Sequence, residues 1–183
     1  MSRIKRLIEV YQNYISIPWR EDEAPAQRIV FCVYHENEEL RLRARIDEFE
    51  LATRQAGHGW HLFDVTDTFP CWLLSQKYAE KYFKSPGLIK TLLPRYQDYI
   101  TRSFSSFYEN NNIDSNSVVA LMGVGSLFGF LKVRDVVDCL APVVAGKLVV
   151  LFPGSYESNN YRLLDGYDGW NYLAVPLTAE GNI

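Results

Sequence analysis

Ile4, Leu7, Ile8, Tyr11 and Ile15 recur at three- and four-residue intervals, which predicts a short amphipathic helix docked by one stripe. The polar, proline-bearing stretch SIPWREDEAPAQR at 16–28 ends it. Residues 29–34, IVFCVY, are apolar without alternation, the pattern of a strand covered on both faces. A charged helix is expected over 36–57, ENEELRLRARIDEFELATRQAG, with Leu40, Ile46, Phe49 and Leu51 as its apolar face and Gly57 as its stop. A second apolar run, WHLFDV, follows at 60–65, and strand, helix, strand is the βαβ pattern.

Residues 68–110 are helical in composition, with interruptions at Pro86-Gly87 and Pro94 and buried bulk expected from Tyr78, Tyr82, Phe83, Tyr96, Phe104 and Phe107. After the polar cluster NNNIDSNS, the run VVALMG predicts a third strand, LFGFLKVRDVVDCLAPVV a helix, and KLVVLF a fourth strand. WNYLAVPL predicts an edge strand, because Pro176 has no N–H for a central ladder. Alternating strands and helices predict an α/β fold. The expected architecture is one domain over 1–183 with a mostly parallel central sheet of about five strands and helices on both faces, a Rossmann-like or P-loop-like layout.

Bulk properties narrow the function classes. The chain has 183 residues, 48% of them hydrophobic, enough for one well-buried core. Its formal charge of −3, with both signs spread along the chain, supplies no global basic field, so direct sequence-specific nucleic-acid binding is not expected. No apolar run approaches the roughly 20 residues of a membrane span, so a cytoplasmic protein without a membrane role is expected. Cys32, Cys71 and Cys139 are odd in number and have no Cys-x-x-Cys spacing, which predicts reduced thiols in packed positions rather than disulfides or metal ligands.

The candidate chemistry is sparse. MGVGSLFG lies at a strand-to-helix turn but lacks the Lys-Ser/Thr of a Walker A loop. It also has three residues between its second and third glycines, where the dinucleotide fingerprint has two. Two readings of it stay open. Gly123, Gly125 and Ser126 either form a structural corner in which Ser126 caps the next helix, or hold an anion at the helix N-terminus. His58 and His61 have ligand-like spacing but no third ligand nearby. Asp64 and Asp67 fit either a metal-dependent nuclease pair or helix caps, and Glu36, Glu38 and Glu39 fit first-turn acids that complement a helix dipole. No nucleophile elbow is present. The expectation is a protein that is not an enzyme and has no metal or cofactor. LFPGSYESNNYRLLDG leaves the fourth strand at its carboxyl end, where α/β sheets carry binding loops. Its Tyr and Arg suit a protein interface.

Taken together, MGVGSLFGFLKVRDVVDCLAPV, then KLVVLFPGSYESNNYRLLDGY, then NYLAVPL resemble the C-terminal half of the BrxB family, small components of BREX bacteriophage-exclusion systems. Gly123, Val124 and Gly125 match that family's glycine turn, and Leu140 matches the end of its apolar helix. Phe152, Pro153, Gly154, Tyr156, Arg162 and Leu163 match its second motif. Met122 stands where the family usually has Thr, Gly129 where it often has Pro, and Lys132 where it usually has Arg; the arginine of the family's last strand is missing from NYLAV. The resemblance implies a non-enzymatic accessory protein of phage defence, associating with the PglZ alkaline-phosphatase-like component inside a multi-protein complex. Pro153, Gly154, Tyr156 and Arg162 are its expected partner-binding residues. The alternatives are a degenerate nucleotide- or phosphate-binding domain and a metal-dependent nuclease.

Overall fold

The computed structural model describes residues 2–166 and 169–182; Tyr167, which closes the second motif above, lies outside them. The chain opens with helix α1 (Arg3–Ile15), whose first turn is capped by Ser2 accepting from the Lys5 N–H at 3.3 Å. Strand β1 (Ile29–Tyr34), helices α2 (Glu39–Arg43) and α3 (Ile46–Gln55), and strand β2 (Gly59–Asp64) follow. A helical layer of α4 (Thr68–Leu74), α5 (Ala79–Lys84) and α6 (Leu93–Asn110) then leads to β3 (Ser117–Met122), α7 (Val133–Leu140) and the long β4 (Lys147–Glu157). The chain closes with β5 (Asn160–Leu163), β6 (Trp170–Asn171), β7 (Val175–Thr178) and β8 (Gly181–Asn182).

The sheet order β2-β3-β4-β1-β7-β8, with β5 on β4 and β6 on β5, corrects the expectation of a mostly parallel sheet of about five strands. Among the described residues the sheet has eight strands and is mixed. The β1–β4, β1–β7, β2–β3 and β3–β4 pairs are parallel, and the β4–β5, β5–β6 and β7–β8 pairs antiparallel. The antiparallel pairs arise in a segment expected as a binding loop and in the C-terminal stretch, expected as one edge strand. LFPGSYESNNYRLLDG is a hairpin rather than a loop, and WNYLAVPL divides into β6 and β7. Pro176 sits opposite Phe31 in β7, which only the two-residue β8 separates from the edge, in keeping with its missing donor.

Two cores sandwich the sheet. The twofold alternation of β1 sends Ile29, Phe31 and Val33 to one face and Val30, Cys32 and Tyr34 to the other. The first face is covered by α4, α6 and α7, the second by α1 and α3. The path explains this division: from β1 the chain jumps to the far strand β2, then steps back through β3 to β4. Connections of one hand that run in opposite directions along a sheet place their helices on opposite faces.

The expected single helix over 36–57 is broken. Arg45 leaves the helical region (φ −123°, ψ 16°), and the stripe facing the sheet becomes Leu42, Phe49 and Ala52. Leu40 and Leu51 are 81% and 56% exposed. Tyr11 fastens α1 to α3 by a buried hydrogen bond of 2.6 Å to Thr53 Oγ1. The Thr53 hydroxyl in turn donates to the Phe49 carbonyl at 2.8 Å. Of the three thiols only Cys32 is buried; Cys71 is exposed and Cys139 half-buried.

Candidate functional site

The carboxyl ends of the parallel strands are where an α/β sheet holds ligands, in the crevice at which neighbouring connections diverge. Here the chain itself fills that place. β4 does not turn into a helix after pairing Pro153 with Tyr34 of β1; it runs on as a ribbon with β5. The ribbon's root is locked from two sides. A β-carbon on Gly154 would lie 2.0 Å from the Arg162 carbonyl oxygen, so only glycine permits this strand approach. The Leu164 N–H donates to the Pro153 carbonyl at 2.8 Å.

The ribbon ends in a two-residue turn, Ser158 and Asn159, with φ of 50° and 64°. That is the left-handed pair that matches strand twist in tight hairpins. The Tyr156 hydroxyl donates to Asn159 Oδ1 at 3.0 Å and the Asn160 amide to the Ser158 carbonyl at 3.1 Å. Tyr156 faces Tyr161 across the ribbon, ring centroids 4.6 Å apart. Tyr161 is fully buried against Phe31, Phe152 and Trp170, and burial pushes its hydroxyl well above the ordinary tyrosine range.

The expected partner-binding residues therefore separate. Pro153 and Gly154 are buried. Tyr156 is half-buried on the same face as Tyr161 and Leu163, whereas Arg162 pairs with Ser155 and is exposed on the opposite face. Glu157 and Asn160 accompany Arg162 there by register, and both are exposed. Among the described residues Arg162 has no carboxylate partner.

The glycine turn packs beneath this ribbon. Gly123 adopts φ +83°, and a β-carbon there would strike Thr66 and Asp64; one on Gly125 would meet Pro153 Cγ at 3.3 Å and Leu164 Cδ2 at 3.6 Å. Ser126 does not cap the next helix. Its N–H donates to the Gly123 carbonyl at 2.9 Å within a 3₁₀ turn, Val124–Leu127, and α7 begins only at Val133, after Lys132 at its N-cap. The turn acts as the bed of the hairpin.

Beside it lies a polar network that joins groups distant in sequence. Arg43 donates to Glu39 Oε1 at 2.7 Å, to Asp64 Oδ2 at 3.3 Å and to the Thr66 hydroxyl at 2.7 Å. Asp64 also accepts from the Thr66 N–H at 2.9 Å, and Tyr34 donates to Glu39. Burial, reinforced by Glu39, pushes the Tyr34 hydroxyl up. Burial opposes the Arg43 charge, but Glu39 and Asp64 outweigh it and raise the Arg43 pKa. Asp64 thus pairs with Arg43, which it shares with Glu39, and caps its own loop. Asp67 stands at the N-cap position of α4 without a side-chain capping bond. His58 stacks on Trp19 at 3.8 Å and bonds Asn116 at 2.6 Å. No group of three or more His, Cys, Asp or Glu among the described residues is arranged to hold a metal ion.

The glycine turn, α7 and the hairpin together lie within residues 74–176, the segment matched by the family model described as BREX protein BrxB, more than half of the chain. The chain belongs to the BrxB family. Comparison with curated proteins and with solved structures returned no match. As a BrxB protein the chain has an accessory role in a BREX system, with other BREX components as partners. No helix among the described residues is long and apolar enough to cross a membrane.

The matched segment omits β1 and β2, yet β1 separates β4 from β7 in the sheet. The BrxB motifs therefore depend on the N-terminal half for their framework. Sequence reasoning missed Tyr34 and Arg43. The usable signal was local: Glu39 and Arg43 are four residues apart on a short helix.

Proposed function

We propose that this BrxB protein is a non-enzymatic adaptor whose β4–β5 ribbon docks the PglZ-like alkaline-phosphatase component of its BREX complex. The contact face carries Arg162, Ser155, Glu157 and Asn160, while Pro153, Gly154 and Tyr156 set its shape from within. The observation that carries this reading is the ribbon itself: the position that holds ligands in doubly wound sheets is filled by a hairpin presenting an exposed arginine, without a carboxylate partner among the described residues. An arginine fork held on a strand is preorganised for carboxylates, carbonyls or aromatic faces of a partner. Anion binding at Gly123, Gly125 and Ser126 is less well supported, because Ser126 N–H is engaged with Gly123 and Gly125 is covered by Pro153 and Leu164. A nuclease role for Asp64 and Asp67 is weaker still, since Arg43 is paired with Asp64 and the described residues hold no group of three or more metal-ligating side chains. Co-purification of the PglZ-like component with the full chain and with an Arg162 variant tests the proposal.

A further inference from the structure

The formal charge of −3 conceals a local excess of the opposite sign. Between Ser75 and Arg95 stand Lys77, Lys81, Lys84, Lys90 and Arg95 against Glu80 alone. All five cations are exposed, and among the described residues none is paired with a carboxylate. Lys81 and Lys84 are three residues apart on α5, neighbours on its surface, and Lys77 immediately precedes the N-cap residue Tyr78. These lysines border a shallow depression of about 600 Å³ together with Gln76, Tyr78, Ala79, Ser85 and one carboxylate, Glu80. Lys77 Nζ lies 5.4 Å from the centre of the Tyr78 ring.

Helix α5 buries no residue. Tyr78 and Phe83 are 57% and 55% exposed, so this ridge is not held out of water by any other part of the chain. Its composition selects among occupants. Protein interfaces are depleted in lysine at their centre, whereas here three lysines outnumber the one carboxylate around the depression. A membrane-surface helix separates its cations from its apolar side chains on opposite faces, whereas here Lys77, Tyr78, Lys81, Phe83 and Lys84 interleave on a single six-residue helix and its entry. Alternating cations and exposed rings match a polymer that alternates phosphates and flat bases.

We infer that the α5 ridge, with Lys77, Lys81, Lys84 and Tyr78, is a docking site for single-stranded nucleic acid, held by its backbone and by stacking without reading sequence. The site shares no residue with the hairpin and stands or falls independently of the adaptor reading. Three lysine–phosphate contacts make the logarithm of affinity fall with the logarithm of salt at a slope of about −2.

The test is fluorescence anisotropy of a labelled mixed-sequence single-stranded oligonucleotide with the full chain, between about 50 and about 200 mM salt. The expected result is saturable binding with that slope. Binding should be at least about tenfold weaker in Lys77→Glu/Lys81→Glu/Lys84→Glu, and about fivefold or more weaker in Tyr78→Ala with the slope unchanged. Should the triple variant fail to melt cooperatively, Lys81→Glu alone is expected to weaken binding and flatten the slope by about 0.7. Absence of binding at low salt, or affinity indifferent to these substitutions, overturns the inference. Equal displacement of the oligonucleotide by polyglutamate overturns it in favour of an acidic protein segment.

Discussion

Tyr156 and Arg162 lie on opposite faces of one two-stranded ribbon: Tyr156 opposes Tyr161 on the core side, and Arg162 opposes Ser155 on the solvent side. Two residues that share a motif thus have different duties. One holds the hairpin to an aromatic cluster, and the other is exposed to solvent.

Their substitutions should separate accordingly. Tyr156→Ala removes the ring packed at 4.6 Å on Tyr161 and the bond to Asn159, and is expected to cost about 1–2 kcal/mol. Arg162 is exposed, so Arg162→Ala should stay within about 0.5 kcal/mol of wild type. Urea unfolding of the two variants measures both.

Gly154 admits no side chain. With the Arg162 carbonyl oxygen 2.0 Å from any added β-carbon, Gly154→Ala must part β4 from β5, at about 1–3 kcal/mol of overpacking. Thermal melting should show a lowered midpoint, and protease should nick the ribbon near Ser158-Asn159 before the rest of the chain.

At the opposite end of the sheet Lys147 is 3% exposed and donates to both Glu23 oxygens at 2.8 Å. It also lies 5.3 Å from the centre of the Trp19 ring. Removing one partner strands the other charge, so Glu23→Ala should destabilise by about 3 kcal/mol. Lys147→Met leaves the better-solvated carboxylate behind and keeps the aliphatic packing, so it should cost less. Denaturant midpoints with matched slopes decide the order.

Asp64 is held by Arg43 and by its own loop, about a third exposed. Asp64→Asn is expected to lower stability by less than about 1 kcal/mol. Magnesium or manganese at millimolar concentration should leave the melting temperature of wild type unmoved, as differential scanning fluorimetry would register.

How much of this was legible in the chain differs by element. Residues 29–34, 118–122 and 148–152 announce strands because both faces are covered and no charged position interrupts them. The hairpin was hidden by its own punctuation. Pro153-Gly154 and Ser158-Asn159-Asn160 look like loop residues, yet Pro153 keeps its place opposite Tyr34, and the Ser-Asn pair is the turn itself. The alternation of Asn160, Tyr161, Arg162 and Leu163, exposed and buried in turn, was present but only four residues long. Leu40 and Leu51 misled because the break at Arg45 rotates the buried stripe, and that break accompanies contacts from Arg43 to Asp64 and Thr66. Those contacts depend on where β2 ends relative to α2, which no local window contains. The motifs of the site were therefore visible as residues, while the sides on which they face were not.

The most direct test of the adaptor reading is capture of the PglZ-like component from cells that carry the whole BREX system, using the tagged full chain. Wild type should retain it, and Arg162→Glu, melting as wild type does, should lose it. Retention of the component by the folded Arg162→Glu variant would contradict the account.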